Sequence, residues 1–580
     1  MRIGTSQSIG LIGLSPFLVT IQTFLSPGLP SISLIGLPDA SLAESKERVK
    51  SAITALGVRW PQTRIVVNLS PASLPKLGST HDCAIAISLL GAIGVVDPMK
   101  NKDVLVVGEL NLDGTLLPIS GLLPILLYAK RKGLHTAIVP EANADEARLV
   151  DGISVHTARS LAKVVQLLGG TLPRQASSPQ STSAPLPVSF SHSAPSSAPP
   201  SSSHPAQSSA AASCAHLAHS SAAASSAHLA QSSAATSCAH LAHSCERAAS
   251  LDADSLSDSL LGTNADEYVD MADVIGQHSA KRALEICAAG HHHALLYGPP
   301  GTGKSMLAHR LTSIMPPLDE REKLEVASIR SVCGTLARYG VTPVPPFEAP
   351  HHTVSVAAMA GGGTGIAHPG AVTKAHDGVL FLDEAPEFSA RALQVLREPL
   401  ETSEIILSRS QATAVYPAHF LLLMAANPCP CGKGWGNARD CTCTSQQRKR
   451  YFGRLSGPLL DRIDMQIEVP PVHLSMNSRE ESSASIRARV IQARGAYREL
   501  FGTSDTATRP HQRMKWLRAR TSRACLALLS SAVDRGTLSL RGADRSLRVA
   551  WTIALLDGRM SPNPENVAEA MSLRPRHNVV

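Results

Sequence analysis

The stretch Ala294-Leu295-Leu296-Tyr297-Gly298-Pro299-Pro300-Gly301-Thr302-Gly303-Lys304-Ser305 joins an apolar run to a glycine-rich turn and then to helix-compatible sequence. Ala294–Tyr297 has strand composition, and Met306-Leu307-Ala308 continues a helix. Between them Gly298, Gly301 and Gly303, followed by Lys304 and Ser305, fit the G-x-x-x-x-G-K-[ST] spacing of a phosphate-binding loop. Such a loop needs glycine because the backbone must turn tightly and point successive N–H groups at phosphate oxygens, with a helix N-terminus behind them. In that geometry Lys304 reaches the β- and γ-phosphates, and the Ser305 hydroxyl ligates Mg2+.

A second run, Val379-Leu380-Phe381-Leu382, reads as a buried strand and ends in Asp383-Glu384. Two adjacent carboxylates at a strand's C-terminal end suit one metal-side Asp and one Glu that orients or deprotonates water. Together the two stretches predict a core that binds ATP and Mg2+ and hydrolyses the nucleotide.

At 580 residues the chain is long enough for three or four domains. Its net charge of +8 is unevenly placed: from Thr444 to the end there are 23 Lys and Arg against 12 Asp and Glu, a surplus of 11. That bias suits contact with nucleic acid or another polyanion, and a solvated basic helical face accounts for it equally well. Eleven cysteines in so long a chain do not make a secreted disulfide framework. The loosely apolar start, Met1 to Leu25, is interrupted by Ser15, Pro16, Thr20, Gln22 and Thr23, and no stretch reaches 18 uninterrupted apolar residues. The expectation is a cytoplasmic protein with no membrane segment.

Residues 1–170 alternate β-rich runs (Ile65–Val67, Val104–Val107, Thr136–Val139) with helical patterns over Leu42–Leu56 and Ile119–Lys130, predicting an α/β domain of mixed sheet character. From 171 to 262 the composition shifts to Ser, Ala, Pro and His. Three 12-residue units run head to tail there, Ser208–His219, Ser220–Gln231 and Ser232–His243. One Leu per unit cannot build a solenoid core, so this segment reads as a disordered linker. Residues 263–470 hold the two nucleotide-related runs and a further strand, Phe420–Met424, followed by Asn427. Over 471–580 the pattern is helical, at Ser485–Tyr497, Arg518–Val533 and Leu538–Leu556.

Four thiols, Cys429-x-Cys431 and Cys441-x-Cys443, are separated by nine residues and could close one tetrahedral four-cysteine site around a structural zinc ion. Gly432, Gly434 and Gly436 supply the bend. The C-x-C spacing is tighter than the usual spacing with two residues between the thiols, and unmetallated thiols are the alternative.

Several segments resemble a known family. Ile35-Gly36-Leu37-Pro38-Asp39, Val67-Asn68-Leu69-x-Pro71-Ala72 and Gly108-Glu109-Leu110-x-Leu112-Asp113-Gly114 look like the Lon-protease-like (S5-like) amino-terminal domain of the bacterial magnesium-chelatase-like ATPases, the YifB/ComM family. The likeness resumes at Asp273-Val274-Ile275-Gly276-Gln277. It implies an AAA+ P-loop core of three α/β/α layers, a helical carboxyl-terminal lid, and a ring, hexameric by the family's habit. It also implies Asn427 as the sensor that bonds attacking water or γ-phosphate. Arg462 is implied as the finger acting on a neighbour's ATP, with Arg454 second, and Arg541 as the lid arginine at the γ-phosphate, with Arg545 in reserve. Family activity would be branch migration or helicase action on single-stranded or branched DNA. The alternative is a chelatase- or MoxR-like motor that remodels a protein or metal-insertion partner, a reading that would expect a D-x-S-x-S partner domain.

Aligned on the Lon-like pattern, Asp82 falls at the proteolytic nucleophile position and Leu123 at the lysine position, so proteolysis is not expected. Lys374 and His376, in glycine-flanked sequence that the family projects toward the pore, are expected polyanion contacts. Glu348 stands where relatives carry Arg, the His291–His293 run is read as a family loop, and the long linker departs from the family's short connection.

Overall fold

The computed structural model describes residues 3–36, 39–74, 76, 79–97, 99, 102–173, 269–363, 367–409, 412–472, 480–501 and 510–574. The expected linker, with its three repeats, lies outside the described residues except for its first three positions.

The amino-terminal sheet starts as a hairpin of β1 (Ile3–Ile12) and β2 (Ser15–Ser26), paired antiparallel around Gly13, whose φ of 65° needs glycine. From Ile3 on, the loosely apolar start is therefore this hairpin. With β3 (Ser31–Ile35), β4 (Arg64–Ser70), β5 (Val104–Val106), β6 (Thr136–Pro140) and β7 (Ser154–Ala158) it forms a seven-stranded mixed sheet in the order β3-β4-β2-β1-β5-β6-β7. The helices α1 (Asp39–Ala55) and α2 (Asp82–Ile93) share one core with Val19, Ile21, Ile65 and Val67. On the other side, α3 (Leu122–Arg131) shares a core with Ile9, Leu105 and Val139.

Asp82 opens α2 fully buried, accepting hydrogen bonds from Ser45 Oγ at 2.8 Å and Arg48 Nε at 2.6 Å. Burial pushes its carboxyl up, and the two donors oppose that shift. Leu123 is buried within α3.

The second sheet contains β8 (Ala294–Tyr297), β9 (Phe347–Glu348), β10 (Val379–Leu382), β11 (Leu421–Ala426) and β12 (Met465–Glu468). All its pairings are parallel, in the order β9-β10-β11-β8-β12. Parallel strands are covered on both faces, which is why these runs are apolar without alternation. Alternation survives in where each residue goes. Ala294, Leu296, Phe381, Leu423 and Ala425 join a core with α4 (His278–Gly290) and α5 (Lys304–Ile314). Leu295, Leu380, Leu382, Leu422 and Met424 join another with Phe388, Phe452 and Leu459. This is a parallel sheet between two apolar layers.

The helix α6 (Glu320–Val332) carries the capping box of Asp319 and Glu322, which satisfies the donors at its start. Its far end meets the amino-terminal part. Ala327 lies in the same core as Leu122 and Leu126, and the Gly121 N–H donates to Ser331 O at 3.2 Å. The Ser331 hydroxyl also bonds Glu146.

A short helix α7 (Ser445–Gly453) precedes the helical end, made of α8 (Ser483–Phe501), α9 (Pro510–Arg520), α10 (Arg523–Asp534), α11 (Leu540–Leu556) and α12 (Pro564–Ser572). The single helix expected over Arg518–Val533 is instead broken at Thr521-Ser522. Ser522 caps α10 by accepting from the Cys525 N–H, and Thr521 Oγ1 accepts from the buried Trp551 indole at 3.0 Å. Residues 518–523 hold no apolar side chain but Ala519, so the apolar pattern lapses at the break, and Ser522 is the cap signal there. No helix among the described residues is long and apolar enough to cross a membrane.

Candidate functional site

Sheet order decides what meets at its C-terminal edge. β11 pairs with both β8 and β10, with Tyr297 opposite Ala426 and Leu382 opposite Met424. The residues that follow each strand, Gly298, Asn427 and Asp383, are therefore neighbours in space although they are far apart in sequence.

Gly301 and Gly303 take φ values of 79° and 86°, and a Cβ on Gly298 would fall 2.2 Å from Val469 O, so glycine is required at these turns. Thr302 Oγ1 donates to Pro299 O at 2.9 Å and braces the loop. Lys304, the first residue of α5, is buried. Its Nζ donates to Gly298 O and Pro299 O, each at 2.8 Å, and to Asn427 Oδ1 at 3.0 Å. Burial lowers the ammonium's pKa, and the nearby Asp383 and Glu384 oppose that.

Ser305 Oγ donates to Asp383 Oδ2 at 2.6 Å. A hydroxyl and a carboxylate oxygen held this close at a helix N-terminus are a donor set that fits a hard divalent cation beside phosphate. Glu384 adopts φ 50°, a left-handed conformation costly for a residue with a Cβ, and its side chain is half-exposed. His352 Nδ1 stands 3.8 Å from Glu384 Oε2. Pro300, Gly301, Gly303–Ser305, Asp383, Glu384 and Asn427 line one cleft of about 490 Å³. A neighbouring cavity of about 720 Å³ is bordered by Gln277, Tyr297 and Glu468. Gln277 bridges toward the loop by donating to Pro470 O at 2.7 Å and Thr302 O at 3.3 Å.

Neither Arg462 nor Arg541 lines that cleft. Arg462 is folded back on its own chain, donating to Pro458 O at 2.6 Å and to Glu401. Arg454 donates to Pro386 O at 3.0 Å and Glu387 Oε2 at 2.7 Å, beside the Asp383-Glu384 turn. Arg541 is exposed in the first turn of α11. Its reserve, Arg545, turns inward and donates to Arg462 O at 2.7 Å and Asp464 Oδ1 at 2.6 Å.

Asp464 was not singled out by its sequence, yet it is a buried hub. It also accepts the His293 N–H at 3.0 Å. Burial would raise its pKa, but Arg548, His292 and Arg545 overcome that and hold it well below the ordinary carboxylate value. The histidine run is, as expected, a loop, joining α4 to β8, and its side chains are structural. His292 Nε2 pairs with Thr552 Oγ1 at 2.8 Å, and His293 Nδ1 accepts the Leu422 N–H at 3.1 Å.

One expected polyanion contact is corrected. His376 is buried, with Nε2 3.3 Å from Glu325 and 3.2 Å from Asp377, while Nδ1 accepts the His419 N–H. A ring enclosed by two carboxylates cannot meet an outside anion. Lys374 remains exposed. The substituted Glu348 is half-buried near Lys374 and Arg330, and burial pushes its carboxyl up.

The sulfur atoms of Cys429, Cys431, Cys441 and Cys443 lie within 4.8 Å of one another. The Lys433 N–H draws the Cys431 thiol down to about 6, and burial pushes Cys429 up.

Compared with known proteins, the profile "Magnesium chelatase, subunit ChlI" matches residues 270–477, "Subunit ChlI of Mg-chelatase" matches 21–143, and "Magnesium chelatase, subunit ChlI C-terminal" matches 480–574. An uncharacterized protein of Mycobacterium tuberculosis is 40% identical over 584 residues, 99% of each chain. The competence protein ComM of Haemophilus influenzae is 34% identical over 578 residues, covering 99% of this chain and 98% of that one. The YifB protein of Escherichia coli is 34% identical over 585 residues, covering 99% and 97%.

Proposed function

The chain belongs to the magnesium-chelatase-like YifB/ComM family, and from that premise we propose that it is an ATP-hydrolysing ring motor acting on DNA. One observation carries the catalytic half of this reading: Lys304, Ser305, Asp383 and Asn427 converge through two direct side-chain hydrogen bonds at the edge of a parallel sheet.

In this reading the N–H groups of Gly301–Ser305 cradle the phosphates, and Lys304 exchanges its own loop's carbonyls for β- and γ-phosphate oxygens. Ser305 and Asp383 would hold Mg2+, which when bound supplies positive charge against the phosphate oxygens. Glu384 takes the proton of the attacking water, and its strained backbone aims the carboxylate into the cleft. Asn427 positions that water or the γ-phosphate.

Arg462 lies outside the cleft of its own chain, which suits a finger that completes a neighbour's pocket in a heterologous ring of six subunits. It must first leave Glu401. Arg541, exposed on the lid, would add a second positive charge at the γ-phosphate. Asp82, ion-paired with Arg48, has no hydroxyl to offer, and Leu123 has no amine, so the amino-terminal part serves as scaffold or collar.

DNA is favoured as substrate by the basic surplus beyond Thr444 and by the relative named as a competence protein. Branch migration or unwinding of single-stranded or branched DNA would be the work done, in the cytoplasm. The chelatase profiles favour the second reading, a motor that remodels a protein or metal-insertion partner. The two separate by ATPase rate with and without single-stranded and branched DNA at fixed salt, beside Lys304→Ala and Glu384→Gln. Stimulation that fades as salt rises supports the DNA motor. Indifference to DNA with a copurifying protein partner favours remodelling.

A further inference from the structure

Residues 427–444 run from the end of β11 to the start of α7 without a helix or strand. A segment of that length with so little regular structure needs something other than backbone ladders to hold its shape. Its four thiols meet instead. Cys429 Sγ lies 3.3 Å from Cys431 Sγ and 3.6 Å from Cys441 Sγ, and Cys431 Sγ lies 3.7 Å from Cys441 Sγ.

Those separations are too long for a disulfide, in which the sulfurs approach to ~2.05 Å. They are close to the ~3.8 Å edge of a tetrahedron whose sulfurs each stand ~2.3 Å from a central zinc. The Gly434 N–H donates to Cys429 Sγ at 3.2 Å, the kind of contact that stabilises and orients a thiolate ligand. A soft four-sulfur set selects zinc over magnesium or calcium.

The same turn touches the phosphate loop. A Cβ on Gly432 would stand 2.9 Å from Pro300 Cγ, so the bare backbone of the turn lies against the loop's proline. The Trp435 ring centroid is 5.4 Å from that of Tyr297, the residue before Gly298. Asn427, two positions before Cys429, holds Lys304. The turn thus reaches the loop from its front, its base and its lysine.

We propose that Cys429, Cys431, Cys441 and Cys443 bind one zinc ion, and that this ion fixes the wall against which the phosphate loop rests, so that metal loading sets nucleotide affinity. The coupling rests on the nucleotide reading of that loop, whereas the metal site stands on the sulfur geometry alone.

The test uses the full chain. Elemental analysis after purification without chelator should give one zinc per chain, and Cys431→Ser with Cys441→Ser should abolish it. Adding Co2+ to stripped protein should give the absorption of tetrahedral cobalt thiolate. Titration with a fluorescent ADP should show affinity weaker in stripped than in loaded protein by roughly ten- to hundredfold, the range seen when groups that position a site are disturbed. Trp435→Ala should keep its zinc and still bind nucleotide more weakly, which separates coupling from misfolding of the cysteine variants. Loaded and stripped chains of equal affinity overturn the coupling. A loaded chain that binds no ADP overturns it together with the nucleotide reading. Absence of zinc, or iron in its place, overturns the site.

Discussion

Ser305 Oγ donates to Asp383 Oδ2 across 2.6 Å, joining the first turn of the helix after β8 to the end of β10 across the intervening strand β11. The pair is the structural meeting point of the two runs that define the ATP reading.

Lys304→Ala should abolish nucleotide binding, because the buried ammonium at the cleft is lost. Glu384→Gln should bind nucleotide normally and turn over about 10²- to 10⁴-fold more slowly, the usual contribution of a positioned general base. Equilibrium binding of ADP beside steady-state phosphate release distinguishes the two.

Arg462→Ala should leave nucleotide binding intact and lower turnover by about 10³-fold or more, as expected for a finger supplied by a neighbour. Mixing it with Lys304→Ala chains should recover activity, since one partner retains a working pocket and the other a working arginine. No recovery, or a chain that stays monomeric with ATP and Mg2+, refutes shared pockets. Glu401→Gln, which releases Arg462 from its present partner, should not lower turnover.

Acidification should destabilise the region around β11. His293 Nδ1 accepts the Leu422 N–H, and burial lowers its pKa to about 3. A depressed value means that the unfolded chain binds the proton first. The stabilising contribution is thus full above the unfolded pKa of about 6.5 and is lost as pH falls toward 3. Urea midpoints at pH 7 and pH 5 measure it. His293→Gln, which keeps an acceptor but cannot titrate, should show a smaller loss between those two pH values.

Arg48→Ala should destabilise the amino-terminal sheet by about 3–5 kcal/mol, because it leaves the fully buried Asp82 carboxylate without its ion-pair partner. Thermal unfolding followed by far-ultraviolet circular dichroism checks this. Asp82→Ser, assayed on a casein substrate, should yield no peptidase activity, since Leu123 supplies no base.

Much of the fold was legible because its decisive runs are local. Ala294–Tyr297 and Val379–Leu382 are strands with the bounds their composition suggests, and Gly298–Ser305 carries its turn in its glycines. The hairpin at the start was hidden because Pro16, Thr20 and Gln22 interrupt its apolar pattern; one face of an antiparallel pair tolerates such residues. The break at Thr521-Ser522 had a local signal in the Ser522 cap, whereas the bond from Trp551 to Thr521, 30 positions away, was not legible.

The sequence alone determined which residues have the chemistry of a phosphate loop, an acidic pair and a thiol quartet, since those depend on side-chain type and spacing. Only tertiary structure decided that Asn427 meets Lys304, that Arg462 rests on Glu401, and that His376 is enclosed by Glu325 and Asp377. Strand order and burial bring such groups together over long separations, and neither is written in the local pattern of any one segment.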